Sequence, residues 1–393
     1  MAEGAGLTAA AAGLGRALIR ARDAKLTVYG NPVSDRLDSD LWVGATLVRS
    51  KGAGQWRGGI DLGLSRELTK GKYDVVHSHG LWLGHHWGAL RAGQKNRMFR
   101  IVSAQGHLDA WALRRSALKK KIVWQLYQKE SLRTAGCLHA LHEGEVSAFR
   151  TAGLANPTCV IPNGIDPPPA VSCDPPWREK FAPGGKILLF LGRVAEQKGA
   201  ADLVAAWAEV IRTPEVYKAG WRLVVAGWPQ PATIELIQKL VEQHSLQTSV
   251  CVLGPQKGSD KGACFAQADA FVLPSRSEGL PMAVLEAWSY SLPVAMTDAC
   301  NLPVGFARKA AFRIVNEPGR LAAGLSEFLA QPQDLRNAMG QEGKRLTQTE
   351  FAWTTVAARM MEVYEWGMGR GAPPSTLRFQ DSETTSVADS RDR

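Results

Sequence analysis

Short runs of consecutive apolar residues alternate with longer amphipathic stretches along almost the whole chain. In the first half the apolar runs are KLTVYG (25–30), WVGATLV (42–48), DVVHSH (74–79), RIVSA (100–104), CLHAL (137–141) and TCVIP (158–162). Between them, stretches such as 113–134 and 143–152 carry apolar residues at helical spacing. The segment NGIDPPPAVSCDPPW, 163–177, holds five prolines and can form neither a helix nor a central strand. It is read as the interdomain connection.

The pattern then restarts with KILLFLG (186–192), WRLVVAG (221–227), VCVLG (250–254), DAFVLPS (269–275), LPVAMT (292–297) and FRIV (312–315). Short Val/Leu/Ile-rich runs separated by helices predict parallel sheets covered on both faces, hence two doubly wound α/β domains in tandem. The predicted boundaries are 1–165 for the first domain, 166–180 for a proline-rich linker, 181–350 for the second domain and 351–369 for a closing helix. The polar stretch 370–393 is predicted to be disordered.

Composition adds three constraints. With 393 residues, 45% hydrophobic and 21% charged, both halves can bury a core. The six cysteines are scattered with no C-x-x-C pair, which reads as reduced thiols and no metal site. The alanine-rich start, GLTAAAAGLGRALIRAR, is interrupted by Arg16, Arg20 and Arg22, unlike a signal peptide, and no apolar run approaches bilayer length. A cytoplasmic protein is expected. The formal net charge of +10 is uneven: residues 1–180 carry 25 Lys and Arg against 15 Asp and Glu, and the remainder is balanced. An anionic partner for the first half is implied.

Two segments suggest chemistry. SRSEGLPMAVLEAW (275–288) follows the apolar run DAFVLP, and Glu286 is the lone charged side chain from Gly279 to Thr297. Ligands of parallel α/β sheets bind at such strand-to-helix turns. Backbone N–H groups of Gly279, Leu280 and Met282 would form an anion site at a helix start, with Pro281 at the first helical position. Glu286, pointing back along that helix, could accept two hydrogen bonds from a vicinal diol such as a ribose. The alternative is a polar point on a solvated face, against which the apolar neighbours argue. The second segment is LLFLGRVAEQKGAADLVAAW (188–207). Here a run ends at Gly192-Arg193 and Lys198-Gly199 opens the next helix; two cations across such a turn suit a diphosphate. Near the start, Gly4-Ala-Gly6 mimics a dinucleotide fingerprint but lacks a preceding strand, and that reading is rejected.

Together GRVAEQKG and SEGLPMAVLEA, the latter a Glu-x7-Glu motif, resemble the donor site of retaining family 4 glycosyltransferases. DVVHSHGLW, SAQGHLDAWALRRSALKKK, VIPNGID and TDACNLP resemble their counterparts in bacterial polysaccharide-assembly members, so the likeness covers nearly the whole chain. It implies a GT-B fold, two Rossmann-like domains facing across a cleft, with the closing helix 351–369 returning to the first domain. It also implies transfer from a nucleotide sugar with retained anomeric configuration and neither metal nor cofactor. By the same resemblance Gly192, Arg193 and Lys198 hold the diphosphate, Glu286 the ribose, and Glu278 faces the donor sugar, while Gly279 and Leu280 give N–H groups to phosphate. Catalysis would rest on Glu278, Arg193 and Lys198, with no residue acting as nucleophile.

Two departures stand out. Gln105 sits where relatives carry a donor-contacting His, with His107 two residues later. The start supplies a loop, MAEGAG, and a helix, but no first strand, which would leave strand edges open; a strand-forming segment upstream of Met1 is expected. Gly4, Gly6, His79 and His107 are assigned to the acceptor side. His77, His79, His85 and His86 cluster without carboxylate or cysteine partners, so a metal is not assigned. RRSALKKKIVWQLYQK (114–129) reads either as an exposed helix with a core stripe or as an interfacial helix drawn to anionic lipid; both readings stand. No nucleic-acid-binding motif accompanies the charge. The expected function is sugar transfer to a glycan or lipid-linked acceptor in surface-polysaccharide or lipopolysaccharide assembly, at the inner face of the cell membrane. The rivals are a catalytically silent relative serving as a binding subunit, and a nucleotide-sugar epimerase.

Overall fold

The computed structural model describes residues 5–22, 24–30, 40–49, 62–114, 116–170 and 175–380. Gly4 and the end of the polar tail, 381–393, lie outside the described residues. The chain divides into two compact units: residues 1–164 with 353–393, and residues 165–352. The helix Trp353–Gly367 thus belongs with the first half of the chain.

In chain order the strands of unit 1 are β1 (Thr27–Gly30), β2 (Thr46–Arg49), β3 (Val75–His79), β4 (Phe99–Ser103), β5 (Cys137–Ala140) and β6 (Thr158–Val160). Those of unit 2 are β7 (Lys186–Leu191), β8 (Trp221–Ala226), β9 (Val250–Leu253), β10 (Ala270–Leu273), β11 (Val294–Met296) and β12 (Ala311–Arg313), and β13 (Leu377–Arg378) returns to unit 1. Both units are α/β, as predicted. In unit 1, β3 to β6 run parallel and β13 adds antiparallel to β6, while β1 and β2 pair in a sheet of their own.

Several boundaries differ from the expectation. The first helix spans Ala5–Arg22, so Gly6 lies inside it rather than in a loop. The run at 42–48 is largely a turn, and its strand begins at Thr46. The stretch 370–393 is not wholly without structure. The N–H of Val160 donates to the carbonyl of Thr376, and Leu377 is buried over β6, because an edge strand with free backbone groups accepts a further strand readily. Within the linker Pro176–Phe181 is helical, with proline tolerated at its first turn. The stretch 113–134 is not one helix but Ala110–Arg114, Ala117–Val123, a π-helical turn Trp124–Gln128, and Lys129–Arg133.

Unit 2 has one six-stranded parallel sheet of order β12-β11-β10-β7-β8-β9. Every residue of β8 but Arg222, and of β7 but Lys186, is buried, which is why these segments read as unbroken apolar runs. Trp207, Trp221 and Trp288 fill its core without exposure. The chain starts the sheet at β7, builds outward to β9, then crosses to β10 on the other side of β7 and builds outward again. The reversal between β7 and β10 is a topological switch point, where the loops at the carboxyl ends of two adjacent strands diverge and leave room for a ligand.

A buried hydrogen-bond chain ties unit 1 together. His139 Nε2 lies 2.7 Å from the Ile161 carbonyl, so it donates; its Nδ1 then accepts from Ser103 Oγ at 2.5 Å. Ser103 Oγ in turn accepts from His77 Nε2 at 2.5 Å, and His77 Nδ1 accepts from the Tyr364 hydroxyl at 2.7 Å. Each ring is neutral in this arrangement, consistent with burial driving the His77 pKa down and that of His139 down to about 4. The chain joins β3, β4 and β5 to the helix Trp353–Gly367.

Candidate functional site

Both predicted donor segments emerge from the two strands that flank the switch point. After β7 the chain passes Gly192 and Arg193, makes a 3-10 turn at Glu196–Lys198, and enters the helix Ala200–Val210. Two glycines make this geometry possible. Gly199 has φ 68°, and a Cβ there would stand 2.3 Å from the Pro274 carbonyl oxygen, so the β7 and β10 loops could not otherwise lie together. Gly227, with φ 139°, lets the end of β8 press on Gly192. The loops are then bonded: Arg276 N–H donates to the Gln197 carbonyl at 2.8 Å, and Gln197 Nε2 donates to the Ser277 carbonyl at 2.9 Å.

This contact brings Lys198 onto Glu278. Lys198 Nζ donates to Glu278 Oε1 at 2.5 Å and also to Oε2, with the two side chains 15% and 5% exposed. Ser275 Oγ donates to the same Oε1 at 2.6 Å, and Asn301 Nδ2 donates to the Glu278 carbonyl at 2.5 Å. Thr297 fixes Ser275 in turn through its carbonyl at 2.6 Å. A carboxylate so nearly buried needs these donors. Nearby, burial and the Glu278 charge push the Cys300 thiol up to about 12.

Arg193 is exposed and donates to Gln197 Oε1 at 3.1 Å. The turn after β10 runs into the helix Met282–Ser289, in which Pro281 is the cap rather than the first helical residue. Gly279 and Leu280 precede that cap. The N–H groups of the helix's first turn have no intrahelical partners and favour an anion. Glu286 sits in this helix with Lys261 Nζ on its Oε1 at 2.5 Å.

In unit 1, Gln105 adopts a left-handed φ of 55°. Its Oε1 accepts from Asn163 Nδ2 at 3.3 Å, while its Nε2 is buried without a hydrogen-bond partner among the described residues. His107 Nδ1 accepts from the Leu81 N–H at 2.8 Å, which leaves the proton on Nε2; burial and the Lys120 charge hold its pKa down at about 4. His79 stacks on His77 with centroids 4.2 Å apart, its Nδ1 buried without a partner among the described residues, and burial lowers its pKa to about 3. Gly6 faces open space on its helix.

Sequence reasoning did not find Ser275, Asn301, Lys261 or Glu145. Glu145 is buried and accepts from the Leu141 N–H at 2.6 Å and from the Gly106 N–H, so it ties the Gln105–His107 turn to the end of β5. Burial pushes its pKa up to about 7. The H-E-G-E spacing at 142–145 carried the only signal, that of a helix start with a carboxylate at its third position.

Two family descriptions match the chain: "Glycosyl transferase 4-like domain" over residues 2–164 and "Glycosyl transferases group 1" over residues 175–346. A D-inositol 3-phosphate glycosyltransferase from Jonesia denitrificans is 26% identical over 319 residues, covering 75% of this chain and 72% of that protein. An enzyme of the same description from Segniliparus rotundus is 29% identical over 194 residues, but that match takes in 48% of this chain and 42% of the relative. Among solved structures, Anabaena HepE in complex with UDP and glucose matches with a TM-score of 0.70 at 15% identity, covering 93% of this chain and 97% of that one. WaaG, a glycosyltransferase involved in lipopolysaccharide biosynthesis, matches with a TM-score of 0.63 at 17% identity, covering 93% and 96%. The two matched regions between them take in both halves of the chain, and the folds agree: the chain belongs to the family 4-type glycosyltransferases of GT-B fold.

Proposed function

We propose that this glycosyltransferase moves a sugar from a nucleoside diphosphate sugar to a glycan or lipid-linked acceptor, with retention of configuration and without a metal ion. The observation that carries the reading is the Lys198–Glu278 pair at the switch point, beside the start of the Met282–Ser289 helix. As the sugar leaves, negative charge builds on the diphosphate. Lys198, Arg193 and the helix-start N–H groups are fixed cations and dipoles that stabilise it. Glu286 takes the ribose diol through the carboxylate oxygen that Lys261 leaves open.

Glu278 is held by Lys198 and Ser275, which disfavours it as a nucleophile and favours a same-face displacement. The acceptor oxygen bonds to the anomeric carbon as the bond to phosphate breaks, and the acceptor proton passes to the departing phosphate oxygen. The UDP and glucose held by HepE support a nucleotide-sugar donor, and the likeness to WaaG supports a place in lipopolysaccharide or surface-polysaccharide assembly. The positive surplus of residues 1–180 supports peripheral attraction to an anionic membrane surface through 114–129. A second reading, a binding subunit without turnover, is favoured by Gln105, whose amide brings no charge.

Incubation with a panel of nucleoside diphosphate sugars, with and without a lipid-linked acceptor, separates the readings. Proton NMR of the product is expected to show the anomeric configuration of the donor, in the presence of a chelator. An inverted product, or chelator-sensitive turnover, would overturn the mechanism; binding without turnover would point to the silent subunit.

A further inference from the structure

The turn that follows β4 is held from three sides. Gln105 and Gly106 both take left-handed backbone, with φ 55° and 76°. A residue with a side chain is strained there and stays only where its surroundings hold it. The Leu81 N–H after β3 donates to His107 Nδ1, Asn163 Nδ2 after β6 donates to Gln105 Oε1, and the Gly106 N–H donates to Glu145 Oε1. Glu145 Oε2 accepts from the Leu141 N–H after β5 at 2.6 Å. One carboxylate thus joins two turns, and it needs both oxygens as acceptors to do so.

Glu145 is 2% exposed, and its charged surroundings are few. His142 caps the same helix, Glu143–Thr151, and His139 lies on β5; burial holds both near 4, as it does His107 in the turn itself, so all three are neutral. Glu143 is turned to Arg378 of β13. Asp109, two residues past His107, is itself pushed up to about 6 by burial. Burial favours a proton on Glu145, the Leu141 and Gly106 N–H groups favour the anion, and the Asp109 charge adds to burial; these opposed effects leave it near 7. Protonation makes one carboxyl oxygen a donor that faces an N–H group, and that hydrogen bond is lost.

We propose that Glu145 is a positioning residue: while ionised it fixes the Gln105–Gly106–His107 turn in the form that meets substrate, and on taking a proton from solvent it releases that turn. Glu145 touches no reacting atom. It acts through Gly106 on the two side chains that flank it, among them Gln105, whose Nε2 is buried without a hydrogen-bond partner among the described residues. The same burial that favours the proton makes the ionised, ordered turn the costlier state of the fold. The inference rests on the reading of Gln105 and His107 as substrate-facing, and adds to it a control that lowers turnover on the acid side of neutrality.

Two readouts test this on the full chain. Gln105–Gly106 is the one Gln–Gly step in the sequence, so isotopic labelling of glutamine carbonyls and glycine nitrogens isolates the Gly106 amide by NMR. Its proton resonance is expected to move with a midpoint near pH 7 in the parent. In Glu145→Gln it is expected to stay fixed, because the amide keeps one acceptor and lacks the other at every pH. The second readout is turnover. The parent kcat is expected to fall on the acid side with that same midpoint. Glu145→Gln is expected to be about tenfold slower at about pH 8, to lack the acid limb, and to bind UDP as the parent does. A Gly106 amide indifferent to pH in the parent, or one that titrates unchanged in the variant, would overturn the proposal, as would equal kcat and pH profile in the two proteins. If the variant fails to fold, the parent titration decides alone. Absence of turnover in the parent would count against the proposed sugar transfer, and the amide titration is still read by itself.

Discussion

Lys198 and Glu278 are 80 residues apart, yet they form the least exposed ion pair described in unit 2. Each residue was legible in the sequence, because each sits at a turn that closes an apolar run. Their contact was not, since it depends on β7 lying next to β10, and strand order is not written in periodicity. The same reason hid Lys261, which reaches Glu286 from a helix 25 residues earlier. That pairing sets the expectation for Glu286→Gln. With one carboxylate oxygen already taken, the amide forfeits about one charge-assisted hydrogen bond to the ribose, and affinity for a nucleoside diphosphate is expected to fall by about tenfold. Calorimetry giving equal affinities would remove Glu286 from the ribose.

At the scale of elements, the apolar runs located most strands, because buried parallel strands are apolar throughout. The two-residue β13 gave no such signal; it exists because β6 offers it an edge. The break of 113–134 into α and π turns was equally silent; Tyr127 and Gln128 of the π turn are buried. Of the cluster His77, His79, His85 and His86 seen in the sequence, His77 proved to belong to a neutral hydrogen-bond chain with Ser103 and His139. This has a pH consequence. His139, near 6.5 when unfolded and about 4 when folded, contributes stability that is present above pH 6.5 and lost as pH falls towards 4. For one fully buried imidazole the loss is roughly 3 kcal/mol. His79, His107 and His142, also depressed by burial, act in the same direction. Glu145, raised to about 7, acts oppositely: its contribution is present below its unfolded pKa and lost as pH rises through 7. The histidines outnumber it, so the urea midpoint of unit 1 is expected to fall between pH 6.5 and 4.5. A midpoint that holds constant over that window would show the rings to be charged or exposed. Ser103→Ala, which strands a nitrogen on both His77 and His139, is expected to cost about 2–4 kcal/mol at neutral pH, read from the same midpoint.

At the scale of the whole molecule, the restart of the strand pattern after the proline-rich stretch announced two units, and the division falls at Gly164 and Ile165. That the closing helix folds with the first unit was implied by the family resemblance, while nothing local in the helix Trp353–Gly367 names its neighbours. Two compact units predict two transitions in a calorimetric scan, only one of which a nucleoside diphosphate should raise, by binding the native form of unit 2. A shift confined to the other transition would place the nucleotide in unit 1.

The central claim is that the switch point of unit 2 binds the diphosphate through Lys198. Removing this cation also leaves Glu278 with one fewer donor in a nearly buried position, so each variant's folding is checked by its thermal midpoint. The most direct measurement is titration of UDP into the parent and into Lys198→Ala by isothermal calorimetry. The account predicts saturable binding to the parent and a loss of at least about tenfold in the folded variant. Equal affinity in the two, or no binding of any nucleoside diphosphate to the parent, would contradict it.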